Sequence, residues 1–127
     1  MISEDNVSYI TAFRLNEKHL YFDCNKCWYQ YREDNNKIVL EDKQGDSREI
    51  DAPCYSTVLK YFREEHNILI EVNLAHDYEP IYDGDKRFDY QYSVYNNGSL
   101  MITPNEFFNN YNNALDNAIN YVLTKIL

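Results

Sequence analysis

The chain has 127 residues, enough for one domain with its own core and no need of a disulfide or a metal to fold. Its 21 acidic residues against 12 basic ones leave a net charge of -9, which repels a phosphate backbone, argues against nucleic acid as a partner and favours partners that are basic. No stretch approaches the ~18 consecutive apolar residues of a membrane span, the first ten residues lack the basic start and apolar run of a signal peptide, and three cysteines read as thiols of a cytoplasmic chain rather than a disulfide framework.

The first expected element is a helix from Asp5 to about Lys18, capped by Ser3 or Asp5, with a thin apolar face of Val7, Ile10 and Phe13. Two strands follow at Trp28 to Arg32 and Lys37 to Glu41, joined by the polar turn Glu33-Asp34-Asn35-Asn36. Lys43 to Arg48 is a charged loop. Pro53 opens the clearest helix of the first half, because Tyr55, Val58, Leu59 and Phe62 fall on one face. His66-Asn67 ends it, since asparagine tolerates the left-handed turn that stops a helix. The chain then enters a strand whose Ile68, Ile70, Val72 and Leu74 share one face, with Glu71 and Asn73 on the other.

Phe88 to Tyr95 alternates in the same way, placing Tyr90, Tyr92 and Val94 toward the core, and Leu100-Met101-Ile102 forms the next strand. A two-residue turn at Asn97-Gly98 would set Val94 opposite Met101 and send Leu100 and Ile102 to the polar face. A three-residue loop, Asn96 to Gly98, pairs Val94 with Leu100 and Tyr92 with Ile102 and keeps the apolar faces together, so it is the expected register. A last helix, N-capped by Asn110, carries the stripe Tyr111, Leu115, Ala118, Val122 and Ile126, widened by Ala114 and Ile119. The expected class is α+β in the order α-β-β-α-β-β-β-α, a mostly antiparallel sheet with helices packed on one face. It is expected as one domain over 1–127, with a helix and hairpin at 1–51 and an α-β-β-β-α unit at 53–127.

The segment APCYSTVLKYFREEHNILIEV from Ala52 to Val72, with Tyr111-Asn112-Asn113-Ala114-Leu115 opening the last helix, resembles a group of small uncharacterised proteins carried by gut bacteria, their phages and their mobile elements. The shared pattern is Ala-Pro, then aromatic-x-Arg-Glu-x-His-Asn, then Tyr-x-x-Ala-Leu. Here Phe62 stands where the group usually has tryptophan. The resemblance spans roughly the C-terminal 60% of the chain and, more loosely, the N-terminal helix. It implies a mobile-element setting and transfers no catalytic residue.

Cys24-x-x-Cys27 has the spacing of two zinc thiolates or a redox dithiol, but there is no second pair and no helix opening behind it, so ordinary thiols are the favoured reading. His66 beside Glu64 and Glu65 could suggest acid–base work and reads better as a helix C-terminal residue stabilised by the dipole. Asp83-Gly84-Asp85 is too short for a calcium loop. The element order from Tyr55 onward matches a double-stranded-RNA-binding domain, yet Asn109 to Asn113 holds no lysine or arginine to grip phosphate. There are 13 tyrosines and one tryptophan. An AT-rich coding bias explains the surplus, as does covering of core and sheet edges, while exposed tyrosine also suits contact surfaces.

The leading expectation is therefore a non-enzymatic accessory protein of phage or mobile-element type, acting by contacts to another protein through Tyr78, Tyr82, Asp83, Asp85, Arg87 and Tyr95. No cofactor, nucleic acid or membrane is expected, and a second copy of the chain stays open as a partner. The alternative is binding or sequestration of a small molecule such as a nucleotide signal, with Tyr78, Tyr82 and Tyr95 stacking and Arg87 neutralising charge. A third reading, a thiol- or metal-dependent enzyme, rests on Cys24, Cys27 and the histidines alone.

Overall fold

A computed structural model describes residues 5–74 and 89–127. The protein is α+β, with two three-stranded antiparallel sheets in the expected element order and one added strand of two residues. It falls into two compact units, 1–60 with Leu127 and 61–126, whose boundary lies within the second helix.

In the first unit the helix starts later than its sequence suggests. Asn6 bridges Cys54, and the Val7 N–H donates to the Pro53 carbonyl at 2.9 Å. That pairing holds the segment extended, so Ser8 is the residue that caps, its Oγ accepting from the Thr11 N–H at 3.3 Å. Helix α1 runs Tyr9–Glu17 and buries Thr11, Ala12 and Leu15. Val7 is buried from the extended segment instead, while Ile10 and Phe13 are 61% and 42% exposed. The expected apolar face was therefore out of phase.

Strands β1 (Lys26–Tyr31) and β2 (Lys37–Asp42) pair without a register break, and β3 (Ile50–Asp51) joins the other side of β1. The turn between β1 and β2 contains Asn35 and Asn36, both at positive φ, which asparagine accepts more readily than most residues. The Trp28 indole N–H donates to the Val7 carbonyl at 3.0 Å and its ring meets Tyr9 edge-on. In the charged loop the Glu49 carboxylate accepts from the Gln44 and Gly45 N–H groups, and Asp46 pairs with Arg48.

Helix α2 spans Tyr55–His66 and buries Tyr55, Val58 and Phe62, as its spacing requires. Asn67 follows at φ 53 and ends it in the left-handed conformation. In the second unit β4 (Ile68–Leu74) pairs with β5 (Tyr90–Asn96), which pairs with β6 (Ser99–Ile102). Helix α3 (Tyr111–Tyr121) packs on β4 and β5. Asn110 caps it: Oδ1 accepts from the N–H groups of Asn112 and Asn113 at 2.8 and 3.2 Å. The helix then widens into a π-helical turn at Val122–Ile126. Ile68, Tyr92, Val94, Leu115, Ile119 and Val122 form the core of this unit.

The β5–β6 hairpin corrects the expected register. Asn96 pairs with Ser99, and Asn97 and Gly98 both sit at positive φ, 52 and 83, which is the signature of a two-residue type I′ turn. A β-bulge removes half of the face conflict that argued against this turn. Tyr95 pairs with Leu100, but Val94 pairs with Ile102, so Met101 is the extra residue. The added residue returns Ile102 to the side of Val94 and leaves Leu100 on the opposite side with Tyr95.

Candidate interaction surface

The corrected register decides what lies on the outer face of the second sheet. Because successive side chains alternate, Leu69, Glu71 and Asn73 face away from the side that Ile68 and Val94 bury. Leu69 pairs with Tyr95 and Tyr95 pairs with Leu100, giving a cross-strand row of three apolar side chains. Leu69 is 44% exposed and Leu100 56%, with Tyr95 half-buried between them. Met101, at the bulge, is 45% exposed. Polar pairs continue the face: Glu71 meets Ser93, whose Oγ lies 2.7 Å from Thr103 Oγ1, and Gln91 donates to the Pro104 carbonyl at 2.8 Å. The result is a small apolar row with a polar flank.

Of the residues expected to bind a partner, Tyr95 is the one this surface contains. Tyr78, Tyr82, Asp83, Asp85 and Arg87 lie outside the described residues. Leu69 and Leu100 were missed by sequence reasoning. Leu69 carried a signal, since it is the one apolar residue at an outward position in a strand whose other outward positions are Glu71 and Asn73. Leu100 was hidden by the three-residue loop, which had turned it inward.

Tyr29 and Tyr31 of the first unit are tied into internal contacts, while Tyr21 is 65% exposed. Tyr29 and Tyr31 lie side by side with ring centroids 4.7 Å apart, and the Arg48 guanidinium sits 5.1 Å from the Tyr29 ring. Tyr31 donates its hydroxyl to Glu41 Oε2 at 2.5 Å, and that acceptor raises the phenol to about 12. Asp46 is held down at about 2 by its hydrogen bonds from Arg48.

Cys24 and Cys27 do not form a metal centre among the described residues, where no group of three or more histidine, cysteine or acidic side chains converges. Cys27 is buried in β1, and burial followed by the negative charges of Glu49 and Glu41 pushes its thiol up to about 11. Burial, followed by Asp51, also raises Cys24. Both shifts disfavour the thiolate that metal binding or nucleophilic attack requires. His66 meets Tyr61, Nε2 to Oη 3.1 Å, rather than Glu64 or Glu65.

No protein-family model, curated protein or solved structure matches the chain. Among the described residues no helix is long and apolar enough to cross a membrane.

Proposed function

We propose that this chain is a non-enzymatic accessory protein that acts by binding another protein through the outer face of its second sheet. The observation that carries this reading is the exposed cross-strand row Leu69–Tyr95–Leu100. Three apolar side chains in a row on a solvent-facing sheet contribute little to the fold and remove apolar area from water only when something covers them. A central tyrosine flanked by aliphatic residues, with polar groups beside it, has the composition of an interface centre and its rim. Raised thiols at Cys24 and Cys27 support a role that is not thiol chemistry. The phage or mobile-element setting rests on the resemblance of Ala52 to Val72 and of the last helix. The net charge of -9 favours a partner with basic residues around its own apolar centre.

The test is affinity capture from a lysate of the source organism with the wild-type chain, Tyr95→Ala and Leu100→Lys in parallel. A protein retained by the wild type and lost from both variants supports the reading. The same proteins retained by all three chains, or none above background, removes it.

A further inference from the structure

The first sheet ends on one side at β2, and that edge lacks several of the usual protections. Natural edge strands are kept from pairing by shortness, proline, bulges, charged side chains or a covering segment, and β2 carries charges at Lys37, Glu41 and Asp42. Strand β2 has six residues, an unbroken register with β1 and no proline. Its exposed side chains include Ile38 and Leu40, at 38% and 37%.

The direction of its backbone groups follows from two hydrogen bonds. The Lys43 N–H donates to the Asn25 carbonyl at 2.9 Å, which makes 25 and 43 a hydrogen-bonded pair one step beyond Lys26–Asp42. Antiparallel pairs alternate, so Lys37, Val39 and Glu41 turn their N–H and C=O groups toward β1. Ile38, Leu40 and Asp42 turn theirs outward. The other side of β1 agrees, because the Lys26 carbonyl accepts from the Ala52 N–H at 3.0 Å, away from β2. Among the described residues no other backbone hydrogen bond or bridge reaches the outward groups of Ile38, Leu40 and Asp42.

We propose that β2 pairs antiparallel with β2 of a second copy about a two-fold axis at Val39, joining two three-stranded sheets into one. This interaction is separate from the Tyr95 row and does not rest on it. The sequence Lys37-Ile38-Val39-Leu40-Glu41 is its own antiparallel complement. Around Val39, Ile38 falls opposite Leu40 of the second copy, and Leu40 opposite its Ile38. Those are the residues with outward backbone groups, so each such pair can exchange both hydrogen bonds. Val39 meets Val39 in the non-bonded position, where side chains come closest. Lys37 falls opposite Glu41 of the second copy, and the two-fold repeats that opposite-charge pair. Shifting the axis to Leu40 would keep the backbone pairing but set Ile38 against Asp42 and Val39 against Glu41. Charge and apolar matching therefore select the Val39 axis. Glu41 accepts from Tyr31 on Oε2, and Lys26 holds Asp42 at 2.6 Å, so both acidic side chains are already ordered on their own strand. Two chains of net charge -9 repel, and the local Lys37–Glu41 pairs act against that repulsion.

The test is sedimentation equilibrium up to about 1 mM protein, a range that detects weak association, on the wild type, Lys37→Glu, Glu41→Lys and an equimolar mixture of the two variants. Circular dichroism on each sample reports that the fold is intact. The wild type should show a reversible monomer–dimer equilibrium. Each single variant sets two like-charge pairs across the axis and should weaken association roughly ten-fold or more. The mixture should associate again, because Lys37→Glu beside Glu41→Lys restores both opposite-charge pairs in the mixed dimer. If Glu41→Lys loses the fold with its Tyr31 contact, Leu40→Pro replaces it as the second variant: it removes an outward donor without breaking the β1 ladder, and should also abolish association. A wild type that stays monomeric throughout, a Lys37→Glu chain that dimerises like the wild type, or a mixture of folded variants that stays monomeric overturns the proposal.

Discussion

Replacing Asn110 with alanine should destabilise the protein by about 1 kcal/mol, and replacing it with aspartate should not. The magnitude follows from the cap. Asn110 Oδ1 accepts from two of the first N–H groups of α3, at 2.8 and 3.2 Å. Both bonds are exposed, so water recovers part of the loss after truncation and the cost belongs in the middle of the usual range for a removed cap. For a chain of this length that is a fall of roughly 3–5 °C in melting temperature. Aspartate keeps the acceptor and adds a negative charge where the first turn of α3 has no acidic residue. Asn110→Asp should therefore match or exceed the wild type near neutral pH, and its advantage should fade as the pH falls through the carboxylate range. Urea and thermal unfolding followed by far-UV circular dichroism measure all three chains. If Asn110→Asp loses as much as Asn110→Ala at pH 7, side-chain acceptance is not what the position supplies, and the capping argument is wrong.

Two further predictions concern titrating groups in the first unit. With its thiol raised to about 11, Cys27 should be about one part in a thousand thiolate at pH 8. Its alkylation by iodoacetamide in the folded chain should then be far slower than in urea, as read by mass spectrometry of the Cys27 peptide. Tyr31 is raised from 10.0 to about 12, chiefly by its bond to Glu41. A group whose proton is held more tightly in the folded state stabilises fully below its unfolded value and loses that contribution as the pH rises toward its folded value. The Tyr31 contribution should thus be intact below pH 10 and fall between 10 and about 12. An ultraviolet difference titration of the wild type against Tyr31→Phe isolates this phenol, and Glu41→Gln should move its midpoint down.

The parts legible in the sequence are those where one side of a regular element is buried. The stripes Tyr55–Val58–Phe62 and Leu115–Ala118–Val122 gave α2 and α3, and Asn67 and Asn110 marked a stop and a start because their side chains act locally. The start of α1 was not legible, since what holds residues 5–8 extended is Pro53 and Cys54, nearly fifty positions away. Strand β3 is two residues long and has no periodicity to read. A bulge adds a residue without leaving a mark in composition, so alternation favoured a longer loop at Asn96 to Gly98 over the type I′ turn that Asn97-Gly98 itself encodes. That one register error concealed the candidate surface. Tyr95 was named from its residue type, but Leu100 was assigned to the core, and Leu69 went unremarked beside Ile68, Ile70 and Val72, which share the other side of its strand. Tyr29 and Tyr31 show the converse limit. Their type suggested contact surfaces, and long-range partners, Glu41, Asp46 and Arg48, occupy them instead.

The proposed role depends on the row Leu69–Tyr95–Leu100 more than on any other feature. Quantitative affinity capture with the wild type, Tyr95→Ala and Leu100→Lys, each matched for folding by its melting curve, measures that dependence directly. Truncating a tyrosine at an interface centre, or setting a lysine into its apolar row, costs about 1–2 kcal/mol or more, so a partner should be depleted roughly ten-fold or more by either change. Equal recovery of every captured protein by all three folded chains would contradict binding through this face.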